Sequence, residues 1–122
     1  LRLVDKPSKF SGAHDKWTDF RDGLFNYLQV TDPRMVLAME KVENQKDEVT
    51  GLTDEESSVS RDLYAVLYSL CQGVSRPYVR RGAHVKRRCG FESWRRLSIE
   101  YASRVGGRRI AMRAMVLKNN LR

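Results

Sequence analysis

The sequence predicts an all-α domain, a compact bundle of five or six helices, and three observations lead to that prediction. Apolar residues recur at steps of three and four positions, which is the spacing of one face of an α-helix. Helix-start signals precede several of these stretches. Neither strict alternation over a strand length nor a hairpin turn joining two apolar runs occurs in the 122 residues. This length predicts a single domain.

The first predicted elements are an extended lead-in and a helix. Residues 7–12 are expected to be extended and to deliver Phe10 towards the core, ending in a turn at Gly12. A helix is predicted over residues 15–29, where one apolar stripe consists of Trp17, Phe20, Leu24, Tyr27 and Leu28. Its N-terminal end carries acidic residues, which suit the helix macrodipole.

A second helix is predicted to begin at Pro33. Asp32 supplies an N-cap oxygen, and proline is favoured at the first helical position. The apolar positions of this helix are Met35, Val36, Met39 and Val42. A polar linker over residues 43–48 follows, and it ends at Gly51.

The third helix has the clearest start. Thr53 and Glu56 have the spacing of a capping box, in which each side chain bonds the other residue's backbone amide. The helix is predicted to run to about residue 72 and to end at Gly73. Its apolar face consists of Val59, Leu63, Val66, Leu67 and Leu70. A short fourth helix, with Pro77 in its first turn, is predicted to stop at Gly82.

The last predicted helices follow a basic connection over residues 83–90. Phe91, Trp94, Leu97 and Tyr101 mark the fifth helix. Gly106 and Gly107 are expected to break it, and a sixth helix is predicted from Arg108 with an apolar stripe formed by Ile110, Ala114 and Leu117. We therefore divide the chain into a lead-in (1–14), a helical domain (15–118) and the start of a C-terminal extension (119–122). Because the chain begins with Leu1 and ends in a helical pattern, we expect it to be part of a longer polypeptide.

The two halves of the chain carry opposite charge. Residues 1–63 contain nine Lys/Arg and thirteen Asp/Glu, a net charge of −4, whereas residues 64–122 contain fourteen Lys/Arg and two acids, a net charge of +12. Segregated charge of this kind indicates an anionic partner for the basic half or a head-to-tail contact between copies.

A dense basic segment supplies the candidate nucleic-acid-binding residues. Cations at this density attract phosphate through counterion release, and the alternative is a solvated face or a strip of salt bridges between subunits. Only Tyr78 and Phe91 are placed where they could stack on bases, so the segment gives poor support for sequence-specific reading of RNA. The candidate cations are Arg76, Arg80, Arg81, Lys86, Arg87, Arg88, Arg95 and Arg96.

Signals for other kinds of chemistry are weak. His14 and His84 lie in no metal-binding spacing, and the acids at the start of the third helix fit helix capping better than paired catalysis. Cys71 lies in an apolar helical register and is expected to be a small core residue, and two cysteines cannot form a disulfide framework. Cations precede Cys89, and they would lower its pKa if the thiol were exposed. No apolar run is long enough to span a bilayer. We therefore expect neither an enzyme nor a cofactor, and a reducing intracellular setting.

The order of the motifs resembles the Gag polypeptide of LTR retrotransposons, of the copia or gypsy type. An F-x-G segment is followed by a Trp helix, an apolar helix ending in Ser-Leu, and a helix with the pattern W-x-x-L-x-x-x-Y. The resemblance covers residues 10–117. The residues that carry it are Phe10, Gly12, Trp17, Phe20, Leu24, Leu67, Leu70, Trp94, Leu97 and Tyr101.

The resemblance implies a capsid-like fold, similar to the N-terminal domain of a retroviral capsid protein, and a structural function. The domain would self-associate into a virus-like particle or oligomer around the element's RNA, in the cytoplasm. Its partners would be further copies of itself and RNA, with no membrane, cofactor or small-molecule substrate. Two alternatives remain: a basic helical nucleic-acid-binding module unrelated to capsids, and a domesticated Gag domain that acts as a protein–protein adapter.

Overall fold

An extended lead-in is tied by backbone hydrogen bonds to the middle of the chain. The computed structural model describes residues 5–83 and 88–102. Phe10 forms an isolated parallel bridge with Cys71, in which the Phe10 amide donates to Leu70 O at 2.8 Å and the Gln72 amide donates to Phe10 O at 2.7 Å. The Phe10 ring is buried, as the sequence predicts. The lead-in therefore belongs to the folded domain.

The first two helices are joined by a single residue. A 3₁₀ turn (His14–Lys16) leads into α1 (Trp17–Thr31), and α2 spans Pro33–Glu43. The predicted apolar positions of both helices are buried, except for the half-buried Tyr27. Pro33 opens α2 as predicted, but the Asp32 carboxylate makes no capping hydrogen bond. It lies 3.8 Å from the Arg34 guanidinium instead, so the helix start was predicted correctly and the capping contact was not.

The third helix, α3 (Asp54–Leu70), begins with the predicted capping box. The Glu56 amide donates to Thr53 Oγ1 at 3.1 Å, and the Thr53 amide donates to Glu56 Oε1 at 2.8 Å. The helix ends two residues earlier than predicted because the backbone around Cys71 is extended and pairs with Phe10. Gly73, with a φ of 58°, then turns the chain.

Short helical segments follow. A 3₁₀ turn (Gly73–Ser75) leads into α4 (Arg76–Arg80), and another 3₁₀ turn (Arg81–Ala83) contains the predicted stop at Gly82. The last described helix, α5 (Gly90–Leu97), continues as a π-helical turn (Ser98–Ala102). The predicted break at Gly106 and Gly107 and the sixth helix lie outside the described residues.

The start of α5 packs closely against α3. A Cβ atom at Gly90 would collide with the backbone nitrogen of Tyr64 and would lie 2.5 Å from Ser60 O. The two backbones can therefore approach this closely only because residue 90 has no side chain. The Phe91 amide donates to Ser60 Oγ at 3.1 Å across the same contact.

The core is an aromatic cluster built from residues that are distant in the sequence. The Phe10 ring lies 5.5 Å from Trp17, 5.0 Å from Phe20 and 4.9 Å from Tyr101, measured between ring centroids. Trp94 lies 5.1 Å from Trp17. All the residues that carry the Gag resemblance are buried except Leu70, which is half-buried.

A polar contact links three helices at the edge of this core. Arg21 of α1 donates to Glu43 of α2 from Nε at 2.7 Å and from Nη2 at 2.9 Å. Trp94 Nε1 of α5 donates to the same carboxylate at 3.1 Å. The described part of the chain is thus a compact all-α bundle, as predicted, and none of its helices combines the length and the apolar character needed to cross a membrane.

Candidate nucleic-acid interface

Two tyrosines on α3 contact three of the candidate arginines through their rings. Tyr64 and Tyr68 are one helical turn apart, and their rings are stacked with centroids 6.1 Å apart. The guanidinium carbons of Arg76 and Arg80 lie 4.3 Å and 5.9 Å from the centroid of Tyr68, and that of Arg88 lies 5.9 Å from the centroid of Tyr64. We call these five residues the Tyr–Arg surface.

Arg76 is held in place by the end of α3. Its Nε donates to Cys71 O and its Nη2 donates to Tyr68 O, both at 3.1 Å. These carbonyls belong to the helix C-terminus, where a cation is favoured by the macrodipole. Arg76 therefore closes the helix and lies over the Tyr68 ring at the same time.

Arg80 changes the electrostatics of Tyr68. Its Nη2 donates to Tyr68 Oη at 3.4 Å. This hydrogen bond and the positive charges of Arg80 and Arg76 lower the pKa of Tyr68, and the same hydrogen bond raises the pKa of Arg80. Both side chains are exposed, so the cationic guanidinium and the polarised phenol face solvent.

Arg81, which follows Arg80, is also exposed, and its guanidinium carbon lies 5.5 Å from the centroid of the half-buried Tyr78. Lys86 and Arg87 lie outside the described residues. Phe91 was expected to be able to stack on bases, but this is wrong because its ring is buried.

Arg95 is a second correction, because it is part of a buried ion centre. The residue is 5% exposed, and its Nε and Nη2 donate to the two carboxylate oxygens of Glu92 at 2.9 Å and 2.8 Å. Its Nη1 donates to Lys46 O at 3.1 Å. All three nitrogens of this guanidinium donate hydrogen bonds inside the protein. Arg95 is therefore not positioned to bind a nucleic acid.

Two more groups complete this centre. Arg96 Nε donates to Glu92 Oε2 at 2.6 Å, and the Val49 amide donates to Glu92 Oε1 at 3.0 Å. We call Glu92, Arg95, Arg96 and the Val49 amide the Glu92 centre. Burial would raise the pKa of Glu92, but the hydrogen bonds from these donors outweigh it and hold that pKa below its usual value. The centre thereby anchors the linker between α2 and α3 to α5.

The half-buried Arg96 also belongs mainly to the fold. Besides Glu92, it lies 3.9 Å from Glu48 on the linker. Its side chain is 31% exposed, so one part of the guanidinium still reaches solvent. Arg96 is therefore a weaker candidate for phosphate than Arg80, Arg81 or Arg88.

Both cysteines are buried in the described structure. Burial raises the pKa of Cys71 to about 12, which agrees with the predicted role as a small core residue. Cys89 Sγ accepts hydrogen bonds from Ser60 Oγ at 3.3 Å and from the Glu92 amide at 3.4 Å. Its sulfur therefore serves as the N-cap of α5.

Two cavities lie away from the Tyr–Arg surface. One of about 630 Å³ lies between the lead-in and α1, and one of about 330 Å³ lies between α2 and α3 beside Leu37. Within residues 5–83 and 88–102, no three His, Cys, Asp or Glu side chains gather as a metal site would need.

Tyr64 and Tyr68 were not among the predicted site residues, although their four-residue spacing on the clearest predicted helix places them on one face. The Glu92 centre was not predicted either, although an acid three and four residues before two arginines is a recognisable helical ion-pair pattern. The site thus consists of the exposed Arg80 and Arg88 and the half-buried Arg76 on two tyrosines, and it is separate from Arg95 and Arg96 on the buried Glu92 carboxylate. No protein-family model matches this chain, and neither a curated protein nor a solved structure matches it.

Proposed function

We propose that this chain is a non-enzymatic structural domain of the Gag type, which self-associates into an oligomer or particle around retroelement RNA. The observation that supports the proposal is the convergence of the residues that carry the resemblance. Phe10, Trp17 and Phe20 come from the first quarter of the chain, and Trp94 and Tyr101 come from the last quarter, yet they share one aromatic cluster. Motifs that were recognised by their order in the sequence thus build one core.

The distribution of surface charge gives self-association a physical route. Asp54, Glu55 and Glu56 are exposed in the first turn of α3, whereas Tyr68 lies near its other end. At 1.5 Å per residue, the two ends of this stretch are about 21 Å apart. An acidic end on one copy can therefore meet the Tyr–Arg surface of the next copy, and such head-to-tail contacts build rings or filaments.

Contacts of this kind are individually weak and sensitive to salt, because exposed charges are screened. Repetition makes them effective, since each added copy is held by more than one contact. We therefore expect assembly that grows with protein concentration and that RNA promotes by concentrating the copies along its backbone.

Light scattering over a range of protein concentrations, at low and high salt and with and without RNA, tests the proposal. We expect the mean mass to rise at low salt and to rise further with RNA. Asp54→Asn combined with Glu55→Gln should reduce assembly. The matched control is Asp15→Asn combined with Asp19→Asn, which makes the same change of net charge on the first helical segments, away from the acidic end of α3. A strict monomer in every condition contradicts the proposal.

The same measurement separates the two alternatives. A chain that stays monomeric but binds RNA would favour a nucleic-acid-binding module unrelated to capsids. A chain that neither self-associates nor binds RNA would favour the protein–protein adapter.

A further inference from the structure

We propose that the Tyr–Arg surface binds single-stranded nucleic acid, with Arg80 and Arg88 holding backbone phosphates and Tyr68 providing a surface on which a base stacks. This inference deepens the proposed function and rests on it for the presence of RNA. It assigns the contact to five described residues and specifies the form of nucleic acid that they fit.

The arginines of this surface are already positioned for an anion. Free arginine side chains lose considerable rotamer entropy when they bind, and a ring beneath the guanidinium reduces that loss. Arg76 is fixed by two carbonyls and lies 4.3 Å from the Tyr68 centroid, and Arg80 donates to the hydroxyl of the same ring. Tyr68 therefore organises two guanidinium groups at once.

The arginines of this surface differ from those of the Glu92 centre in their ionic contacts. Within the described residues, no carboxylate lies within ion-pair distance of Arg76, Arg80 or Arg88. Their partners are tyrosine rings, a phenol hydroxyl and backbone carbonyls, which do not neutralise a positive charge. The surface therefore keeps its attraction for phosphate.

Helical geometry extends the same face along α3. Arg61 precedes Tyr64 by three residues and Tyr68 by seven, which places it on the same side of the helix, and it is exposed. Cations thus lie along the two tyrosines from Arg61 to Arg80. A strand of nucleic acid can follow such a line with its backbone while its bases turn towards the rings.

The aromatic component favours a single strand over a duplex. A duplex presents phosphates to a protein surface but keeps its bases stacked on one another, whereas a single strand offers base faces to aromatic and guanidinium groups. Tyr68 is 36% exposed, and it is the aromatic residue of this surface most accessible to a base. Such stacking tolerates any sequence, because every base has an aromatic face.

Fluorescence anisotropy with a labelled single-stranded RNA of about 15 nucleotides, near the upper site size of single-strand binders, tests the inference. A DNA strand, an RNA duplex of equal length, heparin and poly-glutamate serve as comparison ligands. Protein concentrations stay below those at which light scattering detects assembly. We expect the single strands to bind more tightly than the duplex or heparin, and poly-glutamate to compete only weakly, because a single contact between exposed carboxylates and this surface is weak.

Two variants separate the charge from the stacking. Arg80→Gln combined with Arg88→Gln should reduce the slope of log affinity against log salt by about 1.4, because each phosphate contact to a single strand contributes about 0.7. Tyr68→Leu leaves the net charge unchanged, so it should weaken binding roughly 5- to 150-fold with little change of slope. Arg34→Gln combined with Lys41→Gln removes two exposed charges from α2 and should leave the affinity nearly unchanged.

Several results would overturn the inference. Equal loss in the α2 variant and in the Arg80/Arg88 variant would mean that net charge alone acts. Unchanged binding in Tyr68→Leu, with its fold verified by circular dichroism, would show that no base stacks on Tyr68. Tight binding of poly-glutamate would indicate an acidic protein partner instead of a nucleic acid. Assembly around RNA that persists in both surface variants would defeat this inference and the head-to-tail contact through the Tyr–Arg surface, but not assembly itself. A wild-type chain that binds no nucleic acid would defeat the RNA part of the proposed function as well.

Discussion

The Glu92 centre and the Tyr–Arg surface both contain arginines from the basic half of the chain, but the two regions hold them with different partners. In the Glu92 centre, the guanidinium of Arg95 is buried against a carboxylate and a carbonyl, and its charge is neutralised. On the Tyr–Arg surface, Arg80 and Arg88 are exposed over aromatic rings that leave the charge in place.

This difference shows that the cations of a basic segment fall into two groups with different roles. Arginines on a buried carboxylate stabilise the fold and are lost to any external partner. Arginines on tyrosine rings contribute little to stability but keep their attraction for an anion. Variants of the two regions should therefore fail in different ways, and the following predictions test that contrast.

The largest effect is expected for Glu92→Gln. The change leaves the buried Arg95 without its counter-charge, and breaking a buried ion pair from one side costs about 3–5 kcal/mol. We expect the free energy of unfolding, measured by urea denaturation, to fall by that amount. The matched control is Glu55→Gln, which breaks an exposed ion pair with Arg34 and should cost no more than about 1 kcal/mol. Similar losses in both variants would contradict the distinction between the two kinds of pair.

The next effect is expected for Gly90→Ala, at the contact that joins the helix of the Glu92 centre to the helix of the Tyr–Arg surface. The added methyl group would collide with the backbone of Tyr64, and overpacking of this kind costs about 1–3 kcal/mol. The control is Gly23→Ala inside α1, where a Cβ meets no atom within 4 Å. That control should stabilise the protein by about 0.5–1 kcal/mol, because alanine suits a helix interior better than glycine. Thermal unfolding of both variants measures the contrast.

A smaller effect is expected from pH. The pKa of Glu92 is lower in the folded protein than in the unfolded chain, so the unfolded state binds more protons as the pH falls. The stabilisation from this ionised carboxylate is fully present above the usual glutamate pKa of about 4.3 and is lost as the pH falls through the lower folded value. The difference in unfolding free energy between the wild type and Glu92→Gln should therefore shrink in acid. A constant difference down to low pH would show that the fold does not lower the pKa of Glu92.

The smallest effect on stability is expected for Arg80→Gln. This side chain is exposed and its ring contact is weak, so the free energy of unfolding should stay nearly unchanged. The pKa of Tyr68 should nevertheless rise, because the hydrogen bond from Arg80 lowers it in the wild type. Ultraviolet titration of the tyrosines would detect this change, with Tyr68→Phe identifying the contribution of Tyr68. An unaltered tyrosine titration would contradict the contact.

The local features of the fold could be predicted from the sequence, while those that depend on long-range packing could not. The capping box of Thr53 and Glu56 was predicted because both of its hydrogen bonds lie within three residues. The end of α3 was placed two residues too late because Cys71 pairs with Phe10, which is distant in the sequence. Asp32 was predicted to cap α2 but lies beside Arg34, because spacing alone does not fix a side-chain rotamer.

The candidate site shows the same division. The exposed positions of Arg80, Arg81 and Arg88 agree with the prediction of a basic surface. The burial of Arg95 did not follow from its charge, since it depends on Glu92 and on a carbonyl of the distant linker. The role of Tyr64 and Tyr68 was not predicted, because both lie on an apolar helix and the arginines that contact their rings come from later in the chain.

The bridge between Phe10 and Cys71 gives the lead-in a further role. It joins positions about 60 residues apart, so this connection can form only after α3 has brought its far end back to the start of the chain. Two backbone hydrogen bonds alone would fray easily, but opening them also withdraws the Phe10 ring from the aromatic cluster. Hydrogen exchange at the Phe10 and Gln72 amides should therefore follow the cooperative opening of the whole core and not the local motion of a chain end.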